Sequence, residues 1–97
     1  MSILDLNKYG PIIGSKSIGD EIYENIKKEL SKNDSIEINV SEIKSMATFC
    51  AKQIFGKLYL ELGSELFFEK IIIKGADADL KTIIQIGIQH ALSEKNK

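Results

Sequence analysis

The chain contains few of the residues from which reactive or metal-binding sites are built. It has 97 residues, among them one cysteine, one histidine and no tryptophan. A lone cysteine excludes an intrachain disulfide, and Cys50, between Phe49 and Ala51 in a predicted helix, is expected to be a small buried thiol. His90 has no second histidine or cysteine near it, so we predict a surface histidine rather than a metal ligand. We therefore expect no metal, no cofactor and no enzymatic activity.

An excess of one charge and a long apolar run are also missing. Thirteen basic and fourteen acidic residues give a formal net charge of -1, without a block of either sign, which argues against nucleic acid as a partner. The longest purely apolar runs, such as 66–68 and 71–73, are far shorter than the roughly 20 residues of a membrane helix. The N-terminal stretch MSILDLNKYG has neither a basic start nor a long apolar region. We expect one cytoplasmic domain, 1–97, that does not engage a membrane.

The N-terminal part of the chain predicts a hairpin followed by a helix. Residues 2–6 alternate small or polar with apolar side chains, and the stretch 7–11 contains the glycine and proline of a turn. A brief apolar piece, 12–13, would then complete an antiparallel hairpin. Ser17 and Asp20 have the spacing of a capping box, and apolar residues follow at helical spacing: Ile18, Ile22, Ile26 and Leu30.

The rest of the chain alternates strands with helices. Apolar and polar residues alternate over 36–41, as in a strand covered on one face. A helix is predicted from about Met46 to Gly63, because glycine ends helices without strain. The stretch 68–74 contains three consecutive isoleucines, which is typical of a central strand covered on both sides.

A last helix is predicted after Asp77 or Asp79, either of which can cap it. The order of elements is therefore an N-terminal hairpin and then helix, strand, helix, strand, helix. Strands separated by helices are normally parallel neighbours joined by right-handed crossovers. The sequence predicts an α/β fold with a small, mixed, largely parallel sheet of three or four strands.

The start of the second predicted helix is the candidate functional region. Ser45 and Thr48 place hydroxyls where free backbone N–H groups and the helix dipole stabilise a phosphate, so both are candidate phosphorylation sites. Ser45 as an ordinary N-cap, with Thr48 in the first turn, explains the same pattern without a modification. Lys44, Met46 and Phe49 are the candidate contacts with a protein partner.

The segment GPIIGSKS, 10–17, comes within one residue of a phosphate-binding loop. Ser15 stands where that loop requires glycine, and Pro11 lacks a backbone N–H where a donor is wanted. We expect turn and helix-capping roles for this segment, with weak binding of a small anion or nucleotide as the alternative.

The run INVSEIKSMATFCAKQIFGKLYLELG, 38–63, together with the upstream GSKSIGDEI, resembles the STAS-like domains of unknown function. Members show an acidic-aromatic strand end, a variable loop, a Ser-Phe pair and a helix with the signature Phe-Gly-Lys-Leu. Asn39 and Val40 stand at the strand end, and Thr48 and Phe49 stand at the Ser-Phe pair. The helical signature is Phe55, Gly56, Lys57 and Leu58.

More distantly, the chain is similar to the STAS domains of bacterial anti-sigma-factor antagonists, which a partner kinase switches by phosphorylating a serine. Thr48 falls at that serine, and Ala47 replaces the acidic residue before it. The resemblance implies a bacterial, non-enzymatic signalling module that binds a protein partner such as a kinase, an ATPase or a regulator. The alternative is a structural or self-associating subunit without a phosphorylation switch, using apolar area on residues such as Tyr59 or Phe68.

Overall fold

A computed structural model of the protein describes residues 2–95, and a three-stranded parallel sheet lies at its centre. Its strands are β1 (Ser2–Asp5), β3 (Ile36–Asn39) and β5 (Ile71–Lys74), in the order β1-β3-β5. The strands run parallel because helical segments separate them and return the chain to the same end of the sheet. The predicted α/β class and parallel sheet are therefore confirmed.

The predicted N-terminal hairpin is wrong. After β1 the chain makes a short 3₁₀ turn, Asn7–Tyr9, and enters β2 (Ile12–Ile13), which pairs in parallel with β4 (Ser45–Met46). The two chain segments that pair as β1 and β3 thus each form a loop and then pair again in parallel, as β2 and β4. Hydrogen bonds hold β2 in this place, since the Pro11 carbonyl accepts the N–H of Lys44 at 2.7 Å and the Ile13 carbonyl accepts the N–H of Ala47 at 2.8 Å. The side chain of Ile13 is fully buried in the core there.

The prediction that the isoleucine-rich strand is central is also wrong. β3 occupies the centre and β5 lies at an edge. β5 is shorter than expected, because residues before it belong to a helix, α4 (Ser64–Lys70). Consecutive isoleucines arise here from packing on one face and partial cover on the other, since Ile71 is buried and Ile72 and Ile73 are half-buried.

The other predicted helices are present. α1 (Lys16–Leu30) is followed after β4 by a continuous helical stretch that consists of α2 (Thr48–Ala51), a π-helical turn (Lys52–Gly56) and α3 (Lys57–Leu62). Gly63 ends this stretch with a φ of 85°, which favours glycine. α5 (Ala78–Lys95) completes the described chain.

The helices cover one face of the sheet. Ile36 and Ile38 of the central strand are fully buried on that face, with Leu4 and Ile73 in register beside Ile38. Side chains of a strand alternate between faces, so the opposite face carries the row formed by Ile3, Glu37 and Ile72. Ile3 is 66% exposed there, whereas Glu37 and Ile72 are half-buried, so this side of the sheet is only partly covered.

The helical layer is linked by close backbone contact and by polar contacts. Gly56 in the π-helical turn faces the backbone of Gly87 in α5, and a Cβ added to Gly56 would lie 2.8 Å from the carbonyl oxygen of Gly87. Between α1 and α3, the hydroxyl of Tyr23 donates to the Glu61 carboxylate. Burial is the main cause that raises the pKa of Tyr23, and this hydrogen bond raises it further.

Candidate functional site

Two parallel strands lead directly into two helices at one corner of the molecule. β2 enters α1 through Gly14 and Ser15, and β4 enters α2 through Ala47. The strands are in register at Ile13 and Met46, and the N–H of Ala47 donates to the carbonyl of Ile13 at 2.8 Å. The starts of α1 and α2 therefore lie side by side. We call residues 14–17 and 44–49 the β2–β4 corner.

The start of α1 is capped two residues earlier than the sequence indicates. The Ser15 side-chain oxygen accepts the backbone N–H of Ile18 at 3.1 Å, and Ser15 is the N-cap. The predicted capping box of Ser17 and Asp20 is therefore wrong, because Ser17 already lies inside the helix. The Asp20 carboxylate instead accepts a hydrogen bond from the Gln53 amide.

The start of α2 is also displaced from the predicted position. Ser45 belongs to β4, where its N–H donates to the Pro11 carbonyl at 3.1 Å, so it is not the N-cap. Ala47 occupies that position and makes no side-chain cap. The first helical donors are the N–H groups of Cys50 and Ala51, which both bond to the Ala47 carbonyl, at 2.9 and 3.1 Å. The N–H groups of Thr48 and Phe49 precede them, at the end of the helix that favours negative charge.

The candidate contact residues differ in their access to solvent. Lys44 is exposed and Phe49 is 53% exposed, whereas Thr48 and Ser45 are half-buried. Met46 is only 2% exposed and belongs to the core, so it offers no contact surface. The reason is strand geometry, since Ser45 and Met46 are successive residues of β4 and point to opposite sides.

Sequence reasoning missed Ile12 as part of this surface. Ile12 is 65% exposed and lies in register with Ser45, whereas its neighbour Ile13 is fully buried. Two adjacent isoleucines carry no alternation by which to distinguish the exposed one. Only the pairing of β2 with β4 identifies it.

A surface hollow of about 370 Å³ adjoins the corner at Lys44. It lies between the loops that follow β1 and β3, and Asn7 joins these loops. The Asn7 side-chain oxygen accepts the N–H of Glu42 at 2.9 Å, and its amide nitrogen donates to the Ser41 hydroxyl at 3.3 Å. The sequence predicts a turn at Asn7, but it does not predict these hydrogen bonds to a loop 34 residues further along the chain.

Residues with reactive side chains have structural places in the described chain. Cys50 is fully buried, its Sγ lies 3.5 Å from the Ser15 carbonyl oxygen, and burial raises the pKa of the thiol, which keeps it protonated and unreactive. The predicted buried thiol is confirmed. His90 is exposed on α5, and the Asp77 carboxylate caps that helix by accepting the Leu80 N–H at 2.8 Å.

Metal binding and phosphate-loop chemistry have no support in this geometry. Among residues 2–95, no cluster of three or more histidine, cysteine, aspartate or glutamate side chains could hold a metal ion. Ile12 and Ile13 in the segment 10–17 form a strand rather than the curved backbone of a phosphate-binding loop. None of the described helices is long and apolar enough to cross a membrane.

A family described as a STAS-like domain of unknown function (DUF4325) matches residues 19–81. The chain belongs to this family. The matched part of this STAS-like domain runs from the first turns of α1 through β5 to the start of α5, so it includes Lys44, Thr48 and Phe49. Neither a curated protein nor a solved structure matches the chain.

Proposed function

We propose that this STAS-like domain is a non-enzymatic regulatory module that binds a protein partner through the β2–β4 corner. Membership of the family suggests a regulatory role. The observation that carries the proposal is Phe49, which is 53% exposed although the next residues, Cys50 and Ala51, are fully buried. An exposed aromatic ring gains apolar burial when a partner covers it, and the exposed Lys44, which precedes β4, offers a charge for orientation. A cytoplasmic location is part of the proposal.

The experiment begins with affinity capture from the native host and identification of the bound proteins. Phe49→Ala is expected to weaken binding of the captured partner by at least about tenfold, because a central aromatic contact is worth more than about 1.4 kcal/mol. Its melting temperature should stay close to that of the unmodified chain, since Phe49 makes no part of the buried core. Binding is measured by calorimetry with the purified partner.

A matched control is Ile86→Ala, which removes an exposed apolar side chain on α5. It should leave partner binding unchanged. Equal binding by the Phe49→Ala variant and the unmodified protein would contradict docking at the corner. A large fall in the melting temperature of the Phe49→Ala variant would show instead that Phe49 supports the fold.

Phosphorylation of Thr48 is the proposed switch for this interaction. A phosphate adds roughly -1.5 to -2 charge at neutral pH, and the N–H groups at the start of a helix stabilise it there. The same charge beside Phe49 would interrupt an apolar contact with the partner. Thr48 supports the proposal better than Ser45, because Ser45 lies in β4 and its N–H is already bonded to Pro11. A kinase, an ATPase or a regulator is the expected class of partner.

Mass spectrometry of the protein purified from its native host tests the switch. We expect phosphate on Thr48, weakened partner binding by Thr48→Glu and retained binding by Thr48→Val. The valine variant is the matched control, because it keeps the branched shape and removes the hydroxyl. Absence of phosphate from the protein isolated from its native host would rule out the switch and leave the docking proposal standing.

A further inference from the structure

The outer edge of β5 presents backbone groups that can pair with another strand. β5 has β3 on one side, and among residues 2–95 no strand pairs with its other side. The N–H of Val40 donates to the Lys74 carbonyl at 2.9 Å, so the peptide groups of Lys74 face β3. Successive residues of a strand direct their peptide groups to alternate edges, and those of Ile73 therefore face outward.

An apolar groove of about 210 Å³ lies beside this edge. Phe68 of α4 and Ile73 of β5 form one side, and Ile84 and Ile88 of α5 form the other. Phe68 is 68% exposed, yet its ring is held edge-on against Phe67, with the ring centroids 5.3 Å apart. The groove is therefore a formed feature with an exposed aromatic rim, and its volume suits one large side chain.

The charged residues of β5 and of the groove lining are lysines. Lys81 is the charged residue among those that line the groove, and the exposed Lys74 follows Ile73 on the strand. The nearby carboxylate of Asp77 is engaged by the N–H of Leu80. An acidic group on a ligand would therefore meet two lysines and no free carboxylate among the groove-lining residues.

We propose that the β5 edge and this groove bind an extended peptide of a partner protein, in which a large apolar residue has acidic residues beside it. The peptide adds a strand next to β5 and pairs with the N–H and C=O of Ile73. Side chains of a strand alternate, so when the apolar one enters the groove, a carboxylate next to it reaches Lys74 on the opposite face and a carboxylate two positions away reaches Lys81 at the groove. A second copy of this chain fits less well, because pairing β5 with itself brings lysines together without an acidic partner.

This site goes beyond the proposed function and shares no residue with the β2–β4 corner. The experiment is selection of a display library of short random peptides on the full chain, with Phe68→Asp protein as the counter-selection. We expect the enriched peptides to contain a large apolar residue flanked by acidic ones. They should bind the Phe68→Asp variant and the Lys74→Glu, Lys81→Glu double variant at least about tenfold more weakly.

Two readouts separate a bound strand from a general loss of structure. Hydrogen exchange at the Ile73 amide should slow when peptide is bound, since that N–H becomes an inter-strand donor. Lys28→Glu, a charge reversal at an exposed position of α1, is the matched control and should leave peptide affinity unchanged. Phe49→Ala should also bind peptide normally, which distinguishes this site from the corner.

Several results would overturn the proposal. One is a selection in which no peptides are enriched on the unmodified protein relative to the Phe68→Asp protein. Another is a set of peptides whose affinity is unchanged by both the Phe68→Asp and the lysine variants. Concentration-dependent dimers that Phe68→Asp dissociates would assign the groove to a second copy. If Phe68→Asp fails to fold, the double lysine variant, which alters only exposed side chains, carries the test.

Discussion

At the scale of single residues, the close contact between the backbones of two helices depends on Gly87. A Cβ added there would lie 2.6 Å from the backbone carbon of Ala51 and from the backbone nitrogen of Lys52. Real Cβ atoms do not approach backbone so closely, and a backbone cannot rotate away as a side chain can. Any side chain at position 87 must therefore push α5 away from the start of the π-helical turn.

Gly87→Ala is expected to lower the free energy of unfolding by about 1–3 kcal/mol, because a buried methyl group without space forces the backbone to shift. Gly14→Ala is the control, since no atom lies within 4 Å of the added Cβ and the φ of Gly14 is not positive. That variant should change stability by less than about 0.5 kcal/mol. Urea unfolding followed by circular dichroism measures both, and equal stability of the two variants would contradict close contact at Gly87.

The candidate contact residues Lys44, Met46 and Phe49 lie close together in the sequence but differ in burial. A position near a helix start predicts partner contact for Lys44 and Phe49, and both are exposed. The same reasoning predicts contact for Met46, which is buried because a two-residue strand, rather than the helix, governs its direction. The local sequence does not distinguish the buried residue from the exposed ones, because the mixed polarity of residues 45–48 fits either a strand or the start of a helix.

At the scale of elements, the helical stretch 48–62 contains one feature that periodicity did not predict. A π-helical turn, Lys52–Gly56, separates α2 from α3 and shifts the direction of the following side chains. It carries Gly56 to the backbone of Gly87 and places Gln53 against α1, where the Gln53 amide donates to the Lys16 carbonyl at 3.2 Å. The turn thus packs the same stretch against two helices.

The start of α5 is an element boundary that the sequence did indicate. Asp77→Ala removes the side chain that accepts the Leu80 N–H, and we expect a loss of about 1 kcal/mol in stability. In a domain of this size that loss lowers the melting temperature by about 4–8 °C. Differential scanning calorimetry checks the shift.

The matched control for the cap is Asp79→Ala. Asp79 lies in the first turn of α5, where it interacts with the helix dipole rather than capping an N–H. Its replacement should cost less than half as much as that of Asp77. A larger effect at Asp79 would show that the dipole, and not the cap, stabilises this end.

At the scale of the whole molecule, the exposed large apolar residues are distributed over several elements. They are Ile3 in β1, Ile12 in β2, Phe49 in α2, Leu66 and Phe68 in α4, and Ile86 in α5. A stable dimer interface buries about 800 Å² on each partner, usually as one continuous patch. These residues do not all belong to one such patch, which argues against the alternative of a self-associating subunit.

We therefore expect a monomer when the purified protein is studied by size-exclusion chromatography with light scattering. The mass should stay at 10.8 kDa as the concentration increases. A dimer that persists on dilution would favour the self-associating subunit over partner docking. Phe68→Asp and Phe49→Ala would then identify which surface forms it.

The amino-acid sequence by itself determined the α/β class, the three long helical stretches, the helix end at Gly63, the buried thiol of Cys50 and the STAS-like resemblance. These depend on side-chain periodicity and on capping, which act over a few neighbouring residues. Only the tertiary structure decided that β2 pairs with β4, that β5 lies at an edge and that Met46 is buried while Ile12 is exposed. Strand pairing joins residues that are distant in sequence, and the choice of partner depends on which combination buries the most apolar surface, which no local pattern encodes.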